Sequence, residues 1–541
     1  MMYDIIVRSG IVYNGISTTP FKADIAIEGD TIVEIGDLSN KRAEIEIDAS
    51  NLIVSPGFID MHTHSDLTFL LYPSSLSKIM QGVTTEVVGN CGVSLGPVNK
   101  STIDILQHYA DSFFGEVSKY LDWKWRTLFD YNQKVERNGI AVNFAQFVGH
   151  GTLRIAVGNF QDKISDSELR KMKNLLIHEM KLGAFGLSTG LAYPPGIYSD
   201  TSEIIELAQA MKDYNGIYAT HIRNEGEHVL ESINEAITIG REAGVPVQIS
   251  HLKVSGKNSW GKSKEITKLI KDARALGVEV HGDVYPYDAG QTGLWACLPS
   301  WAQEGGVLKA IERLKDPQTR EKIRHEILTL TELPGGQENR VKEAGWEGIR
   351  IAATGSSNKE VEGKTIKELA EKQGKDPFDV FADLLIQENG KVSMIIHIMN
   401  EDDVIEFLKQ PFVFIGSDHN GIIPGLGPLG GKQHPRAYGT FPRVLSYCRR
   451  KYSLDIGDLI KRMTYLPAKS LGIKDRGFLE VGAKADIVIF SEDEIEDTAT
   501  SDEPRQFPRG IRYVLVNGQI VVNNGIYTGK LPGRRLRKEI H

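Results

Sequence analysis

Apolar and polar residues alternate along both ends of this chain. Residues 3–54 contain three such segments, YDIIVRSGIVYNG, ADIAIEGDTIVEIG and AEIEIDASNLIVSPG, separated by Asn-Gly and Gly-Asp turns. The segments GFLEVGAKADIVIF and IRYVLVNGQIVVNNGIY near the C-terminus follow the same pattern. Because alternation with a period of two is typical of half-buried strands, both ends of the chain are predicted to form β structure.

The middle of the chain has a different pattern, in which short apolar runs alternate with longer stretches of helical periodicity. This order is typical of a parallel sheet whose strands are joined by helices. One helical stretch, SDSELRKMKNLLIHEMKLG, offers Ser165 or Asp166 as its cap. Nine short runs are candidate strands: GFIDMHTH, TTEVVGNC, NFAQFVGH, AFGLSTG, GIYATHIR, VPVQISH, VEVHGDVYPY, SMIIHIMN and FVFIGSDH.

These elements predict an α/β fold: a distorted (β/α)8 TIM-like barrel with a small β-sandwich domain built from both chain termini. Nine candidates are one more than such a barrel needs, so one of the last three is expected to lie outside it. We assign residues 1–54 and 480–541 to the small domain and residues 55–479 to the barrel. Residues 288–348 are rich in Gly, Pro and Trp and are predicted to form an insertion, or lid, over a site.

Composition excludes several classes of protein. The 541 residues are 41% hydrophobic and 25% charged, which is typical of a globular protein with one large and one smaller domain. A net charge of −8 does not suggest a nucleic acid or an anionic membrane as partner. The three cysteines are far apart and the N-terminus lacks the apolar core of a signal peptide, so a cytoplasmic location is expected. The sequence leaves open whether the chain forms a homo-oligomer.

Residues with metal-ligand chemistry stand at the ends of several candidate strands. His62 and His64 are two positions apart, so they share one face of a strand, and Cys91 follows the next apolar run. In a parallel barrel the C-terminal strand ends gather at one mouth, where three further residues of this kind would join them: His221, His251 and Asp418. Taken singly, most of these residues are more typical of a structural role. Their common position favours a site for a divalent transition metal, zinc first.

Longer motifs around these residues resemble a known family. GFIDMHTHSD and the later GSD resemble the amidohydrolase superfamily. More specific motifs resemble the N-acyl-D-amino-acid deacylases, or D-aminoacylases: GNCG, FVGHGTLR, THIRNE, ISHLKVSG, HPRAYGTFPRVL and GKLPGRRLR. The resemblance covers nearly the whole chain. It implies hydrolysis of an N-acyl-D-amino acid to a carboxylate and a free D-amino acid, and the handedness of the substrate comes from the resemblance alone.

The resemblance also implies one tightly bound zinc ion and a second metal position that is weaker or empty. The tight zinc position uses the cysteine of GNCG and two later histidines, which are Cys91, His221 and His251. The second position uses the His-Thr-His pair, the same cysteine and the aspartate of GSD, which are His62, His64, Cys91 and Asp418. Zinc would polarise the amide carbonyl and acidify a water. Asp418 would then accept a proton from that water and return one to the leaving amine.

The substrate's α-carboxylate calls for cationic and hydroxyl partners. The resemblance offers Lys253, Arg436 and a tyrosine of DVYPY, for which we favour Tyr287 over Tyr285. His419, which follows the aspartate of GSD, is expected either to add a metal ligand or to fill the acyl pocket.

Two further residues are assigned less specific roles near the site. His150 of FVGHGTLR is a candidate for a group beside the metal ligands, and a buried structural role is an equal alternative. Arg223 shares the strand face of His221 and is expected to be either a carboxylate partner or a structural clamp.

Two rival functions follow from the same sequence. A cyclic-amide hydrolase of the hydantoinase or dihydroorotase type would use nearly the same metal chemistry, although GNCG and HPRAYGTFPR argue against it. A non-catalytic scaffold on the same fold is the second alternative. It is disfavoured because all six ligand positions are filled by residues that bind metals.

Overall fold

A ring of parallel strands lies at the centre of the molecule. The computed structural model describes residues 2–115, 117–158, 160, 163–355, 358–425 and 430–539. Within these residues the ring has eight strands, one of them interrupted at Phe147: Phe58–Asp60, Val83–Val88, Asn143–Gln146 with Val148–Gly149, Gly186–Gly190, Ile217–His221, Val247–Ile249, Val280–Val284 and Val413–Ile415. The first and last strands meet where the Met61 amide donates to the Ile415 carbonyl at 3.2 Å. The predicted barrel is therefore confirmed.

The ninth candidate strand lies outside the ring. Val392–His397 pairs antiparallel with Ala289–Gly293 and with Ile349–Thr354, and the three strands form a separate sheet. This separate sheet continues well past residue 348, where we predicted that the insertion ends. The whole sheet stands between the barrel strands Val280–Val284 and Val413–Ile415 in the chain.

The two chain termini share one sheet, as predicted. Ile53–Pro56 from the N-terminal part pairs antiparallel with Ile487–Phe490 from the C-terminal part. The remaining strands extend the sheet on both sides of this pair: Met2–Val12, Phe21–Glu28, Thr31–Gly36, Arg42–Asp48, Ile511–Val516, Gln519–Asn523 and Ile526–Tyr527. Its apolar face forms a core of its own, separate from that of the barrel. The exact domain limits stay a prediction.

Helices cover the outside of the ring and fill the inserted segment. The predicted helix after Ser165 runs from Asp166 to Lys181, and the Ser165 side chain accepts from the Glu168 amide, so Ser165 is its cap. The α-helices are Leu76–Ile79, Ile103–Phe114, Leu128–Asn138, His150–Ala156, Asp166–Lys181, Thr201–Ala210, Val229–Ala243, Ser263–Ala275, Val307–Lys315, Pro317–Thr329, Arg340–Ala344, Ile366–Gln373, Pro377–Gln387, Glu401–Leu408, Arg436–Arg443, Arg449–Tyr452, Ile456–Met463 and Tyr465–Leu471. Among the residues described, no helix combines the length and apolar character needed to cross a membrane.

The N-terminal end of the ring is closed by apolar side chains and by the C-terminal tail. Ile59 and Phe414, from the first and last strands, and Phe185, which precedes the strand Gly186–Gly190, belong to one buried cluster that fills the interior. Leu536 of the tail packs against this cluster. The Leu536 amide also donates to the Phe144 carbonyl at 2.8 Å, so the tail runs along the strand Asn143–Gln146. This closure leaves the opposite end, at the C-terminal ends of the strands, as the mouth of the barrel.

Candidate metal centre

The six predicted ligand residues meet at the mouth of the barrel. Each follows or ends a strand of the ring, and each side chain is buried: His62, His64, Cys91, His221, His251 and Asp418. The Cys91 sulfur is 3.3 Å from His62 Nε2, 3.5 Å from His251 Nε2 and 3.9 Å from His221 Nδ1. Asp418 Oδ1 is 3.4 Å from His62 Nε2 and 3.2 Å from His64 Nε2. We call these six residues the donor ring.

The spacing of these atoms fits a metal ion. Zinc binds sulfur at about 2.3 Å and nitrogen at about 2.0–2.1 Å in tetrahedral sites, which separates the two ligand atoms by roughly 3.5 Å. The Cys91–His62 and Cys91–His251 distances of 3.3 and 3.5 Å are close to this separation. Four donors lie within 4.8 Å of one another, those of His62, Cys91, His251 and Asp418. Thiolate and imidazole together are the ligand types that zinc prefers.

The protein environment favours the anionic forms of the sulfur and oxygen donors. Burial raises the pKa of the Cys91 thiol, but the charges of His62 and His251 outweigh burial, so this pKa lies well below its ordinary value. Burial also raises the pKa of Asp418, and the charges of Arg436 and His62 outweigh it, so the pKa of this carboxyl is well below normal as well. A thiolate and a carboxylate are the forms that bind a metal.

Three members of the donor ring have left-handed backbone. The φ angles are 53° at Cys91, 37° at His251 and 51° at Asp418. This conformation is unfavourable for residues other than glycine and is concentrated at functional sites. Next to Cys91 the backbone approaches the strand Gly186–Gly190 closely, since a Cβ on Gly92 would lie 2.8 Å from the Gly190 amide nitrogen. Glycine after Cys91 therefore permits this close packing.

Two cations flank the donor ring, and each already has a carboxylate partner. Lys253 Nζ lies 2.6 Å from Glu225 Oε1. Arg436 Nη1 lies 2.9 Å from Asp418 Oδ2, and its guanidinium stacks 4.5 Å from the centre of the Tyr285 ring. The two predicted substrate-binding cations are thus brought to the site.

Of the two tyrosines of DVYPY, the structure places Tyr285 at the site and not Tyr287, which the sequence favoured. Tyr285 lines the cavity at the donor ring. The Tyr287 amide donates back to the Tyr285 carbonyl at 2.9 Å, so the chain turns at Pro286 and carries the second ring away. Tyr287 instead stacks under Arg443, 4.8 Å from the ring centre.

His150 lies in a buried cluster, and Arg223 lies in a separate, partly buried one. His150 Nε2 is 2.8 Å from Glu203 Oε1. Arg223 forms an ion pair with Glu235 at 2.8 Å and donates to the carbonyl groups of Ile197 and Ser199 at 3.2 and 3.1 Å. Of the two roles predicted for Arg223, these contacts favour the structural clamp.

His419 links the donor ring to the inserted strand. Its Nδ1 accepts from the Asn420 amide at 2.9 Å, and its Nε2 is 3.3 Å from Gln291 Oε1. Both ring nitrogens are therefore engaged away from a metal, which disfavours the role of metal ligand, and His419 is not among the residues that line the cavity. The inserted segment completes the cavity wall with Gly290, Gln291, Thr292, Arg340, Ile396 and Ile398.

Sequence reasoning missed two acidic residues that contact the histidines. Glu225 Oε1 is 3.1 Å from His251 Nδ1, and the signals for it were its place in the THIRNE motif and its position four residues after His221. Asp283 Oδ1 is 3.2 Å from His62 Nδ1 and accepts from the His251 amide at 2.8 Å. A carboxylate inside the candidate strand VEVHGDVYPY was the available signal for Asp283.

Comparison with known proteins identifies the class. Residues 46–522 match the model of the amidohydrolase family. The chain therefore belongs to the amidohydrolase family. Within that family it falls in the subset of D-aminoacylase, since it is 36% identical to the D-aminoacylase of Alcaligenes xylosoxydans xylosoxydans over 99% of this chain and 98% of that protein. The predicted family and fold are confirmed, and the chain is a metal-dependent amidohydrolase.

Two solved structures of such deacylases are similar to this chain over nearly its whole length. One is of a D-aminoacylase whose binuclear metal centre is described as activated by one metal and attenuated by a second; it is 33% identical, with a TM-score of 0.81 over 99% of this chain and 100% of that one. The other is the N-acyl-D-glutamate deacylase of Bordetella bronchiseptica with zinc and a phosphonate inhibitor, 30% identical with a TM-score of 0.80 over the same shares.

Proposed function

We propose that this protein hydrolyses the amide bond of N-acyl-D-amino acids with the help of zinc. The observation that carries the proposal is the donor ring itself, in which Cys91, three of the histidines and Asp418 approach one another beside Lys253 and Arg436. Relatives that act on N-acyl-D-amino acids support the substrate class and its handedness. The products are a carboxylate and a free D-amino acid.

We assign the tight zinc position to Cys91, His221 and His251. The second metal position uses the remaining donors together with the shared sulfur of Cys91: His62, His64 and Asp418. When bound, zinc supplies a Lewis acid that polarises the amide carbonyl and acidifies the attacking water.

Asp418 carries the proton in this reaction. Its low pKa keeps the carboxylate ionised at neutral pH, which suits a proton acceptor. Oδ2 is held by Arg436 at 2.9 Å, so we assign the proton transfer to Oδ1, which faces His62 and His64. Oδ1 takes a proton from the attacking water and delivers it to the leaving nitrogen, without which the amine is a very poor leaving group.

Lys253, Arg436 and Tyr285 hold the α-carboxylate of the substrate. Both cations lie close to the Tyr285 ring, with Lys253 Nζ at 5.9 Å and the Arg436 guanidinium at 4.5 Å from its centre. An incoming carboxylate competes with Glu225 and Asp418 for these cations. Binding of the substrate therefore loosens Asp418 from Arg436, and the Asp418 carboxylate is then free to accept the proton of the water.

The test is a substrate panel assayed after chelation, with and without added zinc. It contains the N-acetyl derivatives of D- and L-methionine, D- and L-glutamate and D- and L-aspartate, together with hydantoin and dihydroorotate. We expect zinc-dependent release of the free amino acid from D-substrates only. Turnover of the ring compounds alone would establish the cyclic-amide hydrolase instead, and a chain that holds no zinc and has no activity with added zinc would be a scaffold.

A further inference from the structure

Glu225 lies behind two histidines of the donor ring. Its Oε1 is 3.1 Å from His251 Nδ1, and its Oε2 is 3.6 Å from His221 Nε2. The other nitrogen of each ring faces the sulfur of Cys91, His251 through Nε2 at 3.5 Å and His221 through Nδ1 at 3.9 Å. One carboxylate therefore stands on the far side of both imidazoles, with one oxygen for each ring.

The two rings present different nitrogens to the sulfur, and this fixes where their protons must be. A neutral imidazole that gives a lone pair to a metal at one nitrogen carries its proton on the other. The proton must then sit on Nε2 of His221 and on Nδ1 of His251, and Glu225 is the carboxylate facing both positions. His221 Nε2 is buried and has no hydrogen-bond partner among the described residues. A shift of roughly half an ångström would bring it within hydrogen-bond distance of Oε2.

Lys253 also contacts His251 but cannot accept the proton of its Nδ1, so Glu225 is the acceptor. Its Nζ lies 2.7 Å from His251 Nδ1 and 2.6 Å from Glu225 Oε1. An ammonium group has donors and no acceptor, so it cannot take the proton of Nδ1. If Lys253 donated to a bare Nδ1, the ring proton would sit on Nε2 and no lone pair would face Cys91. Metal binding therefore requires the arrangement in which Nδ1 donates to Glu225.

We propose that Glu225 is a positioning residue that sets the protonated nitrogen of both His221 and His251. It thereby prepares the two imidazoles to bind a divalent metal together with Cys91. The inference rests on the proposed metal centre and concerns a residue outside the donor ring. Loss of such a partner of a metal-binding histidine lowers metal affinity by about 10–100-fold.

The first experiment compares Glu225→Gln with the wild type. Glutamine offers one acceptor oxygen instead of two, so one of the two rings loses its partner. We expect the zinc dissociation constant, measured by competition with a chromogenic chelator on the full chain, to rise about 10–100-fold. An unchanged constant in a folded variant would overturn the inference. Wild-type protein that fails to bind zinc would instead remove the metal centre itself, and the inference with it.

Glu203→Gln is the matched control. Glu203 also contacts a buried histidine, His150, at 2.8 Å and a buried arginine, Arg154, at 2.9 Å, but it lies outside the donor ring. We expect this variant to lose thermal stability and to keep the zinc constant of the wild type. An equal loss of zinc affinity in both variants would reduce Glu225 to a general structural role and overturn the inference.

The second measurement needs no Glu225 variant, so a failure of Glu225→Gln to fold does not matter. Nitrogen-15 NMR of histidine-labelled, zinc-loaded wild-type protein reports which ring nitrogen carries a proton. We expect opposite tautomers, with Nε2–H on His221 and Nδ1–H on His251, assigned through His221→Asn and His251→Asn. The same tautomer on both rings would contradict the inference.

Discussion

Two buried carboxyl groups at opposite ends of the barrel have pKa values displaced in opposite directions. Asp418 lies at the mouth, and Glu179 lies near the C-terminal tail, with exposed fractions of 8% and 1%. Burial raises the pKa of both carboxyls. At Asp418 the charges of Arg436 and His62 outweigh burial. At Glu179 the main compensation is the Leu128 amide, which donates at 3.1 Å, and the pKa rises to about 7.

The backbone conformation also differs between the two ends of the barrel. At the mouth Cys91, His251 and Asp418 all have left-handed φ angles, a conformation that costs about 1–3 kcal/mol at each such residue. At the other end the tail adds regular backbone hydrogen bonds, such as that from the Phe144 amide to the Arg534 carbonyl at 3.0 Å. The mouth therefore keeps charged donors and strained backbone in place for chemistry, while the tail end contributes to the stability that supports them.

The largest effect at the mouth is expected from Cys91→Ala, because it removes the sulfur that faces three histidines. Loss of a residue that only orients a metal ligand costs about 10–100-fold in affinity, so loss of the ligand should weaken zinc binding by more than about 100-fold. Zinc content after dialysis and turnover on the preferred N-acyl-D-amino acid measure the effect. Cys448→Ala, at another buried free thiol, is the control. Wild-type zinc content in Cys91→Ala would remove Cys91 from the metal centre.

Asp418→Asn should remove the proton carrier and leave the tight zinc position intact. We expect turnover to fall by about 100- to 10,000-fold, the usual contribution of a general base, with zinc content near wild type. The steady-state rate and the zinc content of the same sample are the two measurements. Asp403→Asn, at a buried aspartate that accepts from the Gly261 amide at 2.9 Å, controls for the loss of a buried carboxylate. Substantial turnover in Asp418→Asn would exclude the proposed role.

The convergence at the mouth could be predicted from the sequence because it depends on strand ends alone. Cys91, His221 and His251 each follow an apolar run, and parallel strands of a barrel bring their C-terminal ends together. The outcome at Tyr285 and Tyr287 could not be predicted, since the two rings differ only by the turn at Pro286. Glu225 lies in a loop, where no periodicity indicates that it folds back toward His251.

The strand outside the ring is a second feature that sequence patterns alone do not predict. Val392–His397 is as apolar as a barrel strand, and its sequence does not distinguish the two positions. Its position depends on pairing with Ala289–Gly293 and Ile349–Thr354, which are distant in the sequence. Such long-range pairing is a property of the assembled fold and has no local signal.

At the tail end, Glu179→Gln should change how stability depends on pH. The pKa of Glu179 is raised to about 7 in the folded protein, so the folded state keeps a proton that the unfolded state releases near its ordinary pKa. Stability then falls as the pH rises between the two values, by up to about 3 kcal/mol. Glutamine does not ionise and keeps an acceptor for the Leu128 amide. The variant should therefore melt at a higher temperature than the wild type above pH 7, with the difference disappearing below about pH 4.5.

Thermal melts from below about pH 4.5 to above pH 7 measure how the stability of Glu179→Gln depends on pH. Glu242→Gln, at a carboxylate that is 53% exposed, should follow the wild-type profile throughout. A parallel shift of the Glu179→Gln curve at every pH would mean that the effect is not one of ionisation, and would remove the contrast with Asp418.

The smallest effect is expected from Leu536→Ala in the tail. The side chain is partly buried against the interior cluster, so truncation should lower the free energy of unfolding by about 1–2 kcal/mol, less than at a fully buried leucine. Zinc affinity and turnover should stay unchanged, because the tail touches the N-terminal end of the ring and the donors lie at the other. Leu276→Ala, at a residue that is 85% exposed, controls for loss of the side chain alone. A fall in zinc affinity in Leu536→Ala would mean that packing at one end of the barrel positions the donors at the other, and that the two ends are not independent.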